Sequence, residues 1–596
     1  DNAEQLGIAE SVSSYQADPK AGTYILKDGF KKWYNISDPF VYQALTSLTH
    51  TGMNGTAMRV MRAFKRTFTS MTTSTPQFVI ANLLRDSLAA PATADMSYNP
   101  IGNVVSGVKS FGVTDRSKYE RARLLASGGA FSFGHIYGEN ADDIKASIKG
   151  ELSRANILKD RKGAVKAVKA LWQHWQDIQN SAENANRMAA FQQSEEAGKG
   201  KLYAAFQARD IMDFSGMGAY PAIRFLIDTV PFLNARIQGL DKLYRSGVKP
   251  TAKVVWNMLG RGEATGNDRQ AAARFMTVVG ALSLATVALY LHNKDDDEFK
   301  RVPDWMRDSY WWFRAGESAY LIPKPFEVGA IATLAERLTE QGVDDEATGG
   351  LFAERLGFML MNTFSFSPIP QIAQPVLDVY ANRDSFTGRD IETAGMERLS
   401  PSNRVASDTS YISRGVGVAM EGVFGADSGL ALSPVQLDYL VSGYWGQMGA
   451  WAFGLTDVAV NTMIGHETPA RAYYEYQPIR RFYRDLNAPE SDKYTQLFYE
   501  SLREAQRLNA DIKAMRDDGR LADAEELKSE SAGLLNIRLK LERANRRLAA
   551  LNAQIRQVER SDLSADEKRR RIDLLKVRRQ QLVDKVIPAI KEAEQR

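Results

Sequence analysis

The sequence predicts an all-α protein: a large multi-helix domain with one central apolar helix and a C-terminal antiparallel coiled-coil hairpin. Three observations carry this. Phe275 to Leu291, FMTVVGALSLATVALYL, is an uncharged apolar run, and its about 17 residues lie at the lower edge of what spans a bilayer. Leu534, Ile537, Leu541, Ala544, Leu548, Leu551, Ile555 and Val558 follow a three-four spacing, the a and d seam of a coiled coil. β signals are sparse, with few alternating runs and no clear hairpin dipeptide between them.

The 596 residues suggest more than one domain. Four segments are expected: 1–55, polar and punctuated by Gly and Pro, a linker or remnant; 56–270, helical; 271–470, the apolar helix with a helical and loop core; and 471–596, a charged helical hairpin. Lys and Arg number 76 against 72 Asp and Glu, a balance too even to announce nucleic-acid binding. Absence of cysteine excludes disulfides, thiolate metal sites and a Cys nucleophile. The chain begins at Asp1 with no secretory signal pattern, and reads as a piece of a longer or processed polypeptide.

From Thr56, Met58, Met61, Phe64 and Phe68 recur at helical spacing, and Arg59, Arg62, Lys65 and Arg66 take other faces. That pattern gives a solvated charged face over a core stripe, or a basic surface for anionic lipid or phosphate. Thr75, or less directly Ser74, is placed to cap a helix starting at Pro76. Residues 90–150, rich in Gly, Ala and Ser, suggest short helices and loops. Lys159 to Lys169 form a basic surface stretch, and Trp172, Trp175 and Ile178 read as core. The apolar run is either a buried central helix or a membrane-ready one kept covered until deployed. The Asp295–Asp297 cluster after it opposes the helix dipole and belongs in a loop, where it either binds a cation or solvates a turn. Ser564 and Glu567 form a capping box, so a new helix starts there, presenting Ile572, Leu575, Leu582 and Val586. Residues 531–596 carry a net charge of about +8.

No enzyme signature survives inspection. Five histidines stand far apart, with no His-x-x-x-His pair. Gly415-Val-Gly417 lacks the third glycine of a dinucleotide loop, and no phosphate loop or nucleophile elbow occurs. Asn382 to Gly388 has the wrong offsets for an EF-hand and reads as a turn. No catalytic, cofactor or metal residue is assigned.

Several phrases in order carry a resemblance: Thr75-Pro-Gln-Phe78 with Asn82-Leu-Leu-Arg-Asp86; Glu183-Asn-Ala-Asn-Arg187; Ala208-Arg-Asp210 with Asp213-Phe-Ser215; and Pro231 to Asp241. The series continues with Pro303-Asp-Trp305, Tyr310-Trp-Trp-Phe313, Pro323 to Gly329, Phe386 to Arg389, Glu397 to Pro401, Leu432-Ser-Pro434 and Gly443-Tyr-Trp-Gly446. Over roughly residues 55–500 the set resembles the large polyvalent-protein-associated helical domain of bacteriophage internal virion and ejection proteins.

The resemblance implies a non-enzymatic virion protein, stored in the capsid interior or near the portal or tail, that leaves with the genome for the host envelope. Its implied partners are copies of itself in a ring, other ejection, portal or tail proteins, double-stranded DNA passing without sequence specificity, and the host membrane. A covered apolar helix suits that life. Phe275, Val278, Leu282, Leu284, Val287 and Leu291 are the candidate membrane or ring contact. Trp305, Tyr310, Trp311, Trp312 and Phe313 are the candidate aromatic anchor. Leu534, Ile537, Leu541, Leu548, Leu551, Ile555 and Val558 are the hairpin seam. Two other readings stand beside it. One is the non-catalytic C-terminal domain of a phage peptidoglycan hydrolase or virion RNA polymerase polypeptide. The other is a bacterial membrane or toxin-like delivery protein, since Arg269 and Arg274 before the run and Asp295–Glu298 after it suit the positive-inside rule.

Overall fold

The computed structural model describes residues 9–12, 22–27, 30–36, 56–109, 119–120, 123–124, 164–211, 221–343, 372–385, 390–393, 396–397, 399–406, 409–426, 428–446, 449, 469–470, 477–486, 492–559 and 561–594. The chain is mostly helical, with two three-stranded antiparallel sheets, which corrects the all-α expectation.

The first sheet falls in the segment read as a linker. It comprises β1 (Ala9–Val12), β2 (Gly22–Lys27) and β3 (Phe30–Ile36), in the order β1-β3-β2. Lys27 pairs with Phe30, and the sequence between them is Asp28-Gly29, a favoured dipeptide for a two-residue hairpin. That signal contradicts the reading that no hairpin dipeptide is present.

Next come α1 (Thr56–Thr73) and α2 (Pro76–Thr93). Thr75 stands at the expected boundary, but its hydroxyl donates back to Thr72 O at 3.0 Å instead of capping α2. Lys65 does not take a solvated face: it is buried, and its Nζ donates to Ile227 O. Burial pushes its ammonium down to about 8 despite nearby Asp228.

Helices α3 (Pro100–Lys109), α4 (Ala164–Glu196) and α5 (Lys201–Asp210) pack together. Their core joins Leu124, Met188, Phe191, Ala204, Ala205 and Ala208. Close approach depends on Gly107, where a Cβ would lie 2.0 Å from Ala185 O. Ile178, read as core, is exposed, while the Trp175 indole donates to Ser74 O at 2.8 Å. Residues 159–163 of the basic stretch and the Trp172 side chain lie outside the described residues.

Helices α6 (Pro221–Thr229) and α7 (Leu233–Leu243) lead through a π turn, Tyr244–Val248, into α8 (Lys249–Met258). The apolar run forms most of α9 (Gly266–Asn293). Short α10 (Asp297–Lys300) and α11 (Asp304–Ser309) precede β4 (Tyr310–Ala315) and β5 (Ser318–Pro323). Then follow α12 (Phe326–Val343), α13 (Gln374–Tyr380), α14 (Tyr411–Phe424), α15 (434–446) and α16 (Gln477–Arg480). Gly415 and Gly417 lie within α14, where Gly417 faces Pro434.

Strand β6 (Tyr483–Asp485) pairs with β5 to complete the second sheet. The C-terminal helices are α17 (Lys493–Asp517), α18 (Leu521–Glu530), α19 (Ala532–Glu559), α20 (Ala565–Asp584) and α21 (Ile587–Glu594). Phe498, Leu502 and Ala505 of α17, Leu541, Ala544 and Leu548 of α19, Val583 of α20, and Ile587 and Ile590 of α21 share one core with Val586. Three helices, α17, α20 and α21, therefore converge on the apolar stripe of α19. Ile555, Ile572 and Leu575 form a separate cluster between α19 and α20.

Candidate functional site

Helix α9 starts at a reciprocal capping box between Thr265 and Asp268. Ala272, Phe275, Val279, Thr286, Tyr290 and Asn293 are its buried residues. They fall at steps of three, four and seven residues, one face of a helix. Phe275 and Val279 pack with Ala92 of α2 and Val328 of α12, and Val278 and Leu282 lie alongside, partly buried. Gly247 admits the Phe275 ring: a Cβ there would lie 2.4 Å from it.

The opposite face is apolar and outward. Met276 is 57% and Leu284 73% exposed, Leu291 is exposed, and Ala281, Ala285 and Ala288 lie between them. The helix is long and apolar enough to cross a membrane by length and composition, yet only 22% of its most apolar stretch is buried. The structure thus gives a half-covered helix rather than a fully buried central one. Of the six residues singled out from the sequence, Phe275 is core, Val278, Leu282 and Val287 lie at the edge, and Leu284 and Leu291 face outward.

The covered face is held by polar bonds as well as packing. Trp311 Nε1 donates to Thr286 Oγ1 at 2.7 Å, and Asn293 Nδ2 to Trp312 O at 2.9 Å. Buried indole N–H groups need such partners. Tyr310, Trp311 and Trp312 are therefore core in this fold, while Trp305 and Phe313 are partly exposed. Trp312 joins Tyr290, Phe299 and Met306 in one cluster. The aromatic segment as a whole does not form an outward anchor, because the first half of β4 is covered on both faces. The turn between β4 and β5 is Gly316-Glu317, with Gly316 at φ +62°, a conformation that favours glycine in a two-residue hairpin.

The acidic knot has local partners. Asp296 caps α10, accepting from Glu298 N and Phe299 N, and pairs with Arg314 at 2.6 Å. Among the described residues no group of three or more His, Cys, Asp or Glu is placed to hold a metal ion.

Behind the aromatic core lies a buried ionic network. Lys324 Nζ donates to Glu336 at 2.8 Å, Thr333 Oγ1 at 3.1 Å and Arg307 O at 2.8 Å. Arg307 donates to Glu340 at 3.0 Å, and Arg337 binds Glu340 and Asp308. Burial pushes Glu336 up, but Lys324, Arg307 and Arg337 hold it below the usual carboxylate range. The network ties α11 and the end of β5 to α12, the helix against which α9 lies.

A second polar cluster joins two of the sequence phrases. Asp86 of α2 accepts from Asn82 at 2.9 Å, and Glu183 lies 3.7 Å from Arg187 on α4. Burial raises Asp86 to about 7, against the pull of Arg187 and Arg85, and raises Glu183 to about 8, against Arg187. Sequence reading missed this pairing because nothing in either phrase states which helix it meets. The seam residues also face inward: Leu541, Leu548 and Ile555 are buried, with Leu534, Ile537, Leu551 and Val558 packed beside them. Asn382 to Ser385 are described, with Asn382 at φ +48°, while Phe386 to Gly388 lie outside the described residues.

Residues 296–474 match the family described as large polyvalent protein associated domain 38, a phage-associated domain family. The match is narrower than the span of the sequence resemblance, and it opens at Asp296, three residues beyond α9. No curated protein and no solved structure matches the chain.

Proposed function

We propose that this chain is a non-enzymatic structural protein of a phage virion that takes part in genome ejection. It assembles as a ring around the DNA channel, with other ejection, portal or tail proteins, and moves from the particle to the host envelope on infection. The observation that carries this reading is a juxtaposition. A half-covered apolar helix of spanning length runs directly into a phage-associated domain.

In this reading the outward face of α9, centred on Leu284 and Ala285, meets either a neighbouring copy or lipid. A closed ring is the usual solution for a heterologous interface. The paired helices α19 and α20 act as the antiparallel hairpin, offering basic outer faces to a partner or to passing DNA. The near-even overall charge suits a conduit, because each phosphate contact would add salt-sensitive affinity and slow the genome. The test follows the chain from purified particles into the envelope of newly infected cells. A zymogram and a transcription assay on the same chain are both expected to be negative, and activity in either would favour a role inside an enzyme polypeptide.

A further inference from the structure

A second exposed feature lies next to α9, not on its apolar face. From Thr251 to Ala271 no residue is buried. Helix α8 and the start of α9 therefore project as a two-helix arm, and α8 packs chiefly on α9 and the π turn before it. From Pro250, the last buried residue of α8, the arm extends roughly 12 Å at 1.5 Å per residue.

Its tip is apolar. Met258 is 80% and Leu259 63% exposed, with Val255 and Trp256 half-exposed beside them. The tip is also built. Gly260, at φ +71°, closes α8, Arg261 N donates to Trp256 O at 2.9 Å, and Asn257 Nδ2 donates to Gly262 O at 2.8 Å. Arg269 Nη2 reaches Asn257 Oδ1 at 3.3 Å across the arm.

The surrounding charge is positive. Between Lys249 and Ala271 the sequence carries Lys249, Lys253, Arg261 and Arg269 against Glu263 and Asp268, and Asp268 is taken up by Lys253 and by the cap of α9. The Arg261 guanidinium lies 5.9 Å from the Trp256 ring centroid. A tryptophan beside a cation above exposed aliphatic side chains is the composition that settles at a headgroup layer. A protein partner fits less well, since a stable interface takes about 20–30 residues a side and this tip offers four apolar side chains.

We infer that the α8–α9 arm is a membrane-docking tip that inserts Trp256, Met258 and Leu259 into an anionic lipid surface, with Arg261 and Arg269 on the headgroups. The inference deepens the envelope contact proposed above and rests on that reading for its purpose, but its test needs neither virion nor infection.

The chain has no cysteine, so Met258→Cys provides a unique thiol for an environment-sensitive fluorophore. Leu521→Cys, an exposed apolar site on α18, is the control. Added phosphatidylcholine vesicles containing phosphatidylglycerol should brighten and blue-shift the label at 258 and leave the label at 521 unchanged. Pure phosphatidylcholine should do little, and added salt should weaken the response. Arg261→Glu combined with Arg269→Glu should cut vesicle association at least tenfold. No response at 258, an equal response at both sites or with neutral vesicles, or a concentration-dependent response without vesicles would overturn the inference. The last outcome would assign the tip to another copy of the chain. A silent tip on a chain that still reaches the host envelope would sink this inference alone.

Discussion

Arg301 and Asp584 meet as a forked pair, Nη1 to Oδ1 and Nη2 to Oδ2, each at 3.0 Å. Arg301 also donates to Asp492 at 2.8 Å, and its guanidinium lies 5.0 Å from the Tyr494 ring centroid. One side chain at the start of the family-matched segment thus pins both the first C-terminal helix and the end of α20. Arg301→Ala leaves two partly buried carboxylates without this partner, and the expected loss is about 2–3 kcal/mol. Urea unfolding should show the C-terminal helices melting earlier than the rest, and an unchanged single transition would remove this role.

The lock behind α9 should be more costly to break. Lys324→Met takes the hydrogen-bonded cation from buried Glu336 and leaves Arg307 at 3.6 Å, and removing one partner of a buried pair costs roughly 3–5 kcal/mol. Lys324→Met with Glu336→Leu should recover much of that loss, because replacing a buried pair by apolar side chains is often neutral. Thermal unfolding of the two variants makes the comparison, and equal losses would argue against the pairing.

The contribution of Asp86 and Glu183 to stability should fall as pH rises from about 4 to about 8. Asp86 and Glu183 hold protons in the folded chain up to about 7 and about 8, whereas the unfolded carboxyls release them near their ordinary values of 3.8 and 4.5. Over that window the folded state binds more protons, so the slope of stability against pH is negative. The contribution is complete below the unfolded values and lost once pH passes the folded ones, with a slope on the order of 1 kcal/mol per pH unit for each group. Urea titrations at several pH values should show the decline, and Asp86→Asn with Glu183→Gln should flatten it. A rise from acid to neutral pH carried by these two groups would contradict their placement.

The two faces of α9 should respond differently to substitution. Phe275→Ala removes a buried ring and is expected to cost about 3–5 kcal/mol. Leu284→Ala, on the outward face, should change stability by about 0.5 kcal/mol or less. Ala285→Asp should fold normally and lose envelope association, since Ala285 is exposed. Misfolding of Ala285→Asp would return the whole helix to the core.

Much of this organisation was legible where periodicity is strong. The apolar run emerged as a helix, and the α19 stripe from Leu541 to Ile555 faces a core, because a repeat at three and four states its own geometry. The charge of Lys65 suggested solvent, yet a carbonyl on α6 holds it, and only tertiary packing shows that. The aromatic run at 310–313 reads from the sequence as an outward anchor, because four consecutive bulky residues hide the alternation of a strand. The dipeptides Asp28-Gly29 and Gly316-Glu317 are the local sequence signals that point to the two sheets. The α8 tip escaped notice because Val255 to Leu259 resembles any core segment until its neighbours are known.

The proposed virion role is tested most directly by mass spectrometry of purified particles of a phage producing this chain, and of envelope fractions from cells infected while protein synthesis is blocked. The chain is expected in the particles and then in the envelope, delivered without new synthesis. Its absence from the particles would contradict the account, and its presence there without transfer would make it a fixed component of the virion rather than an ejected one.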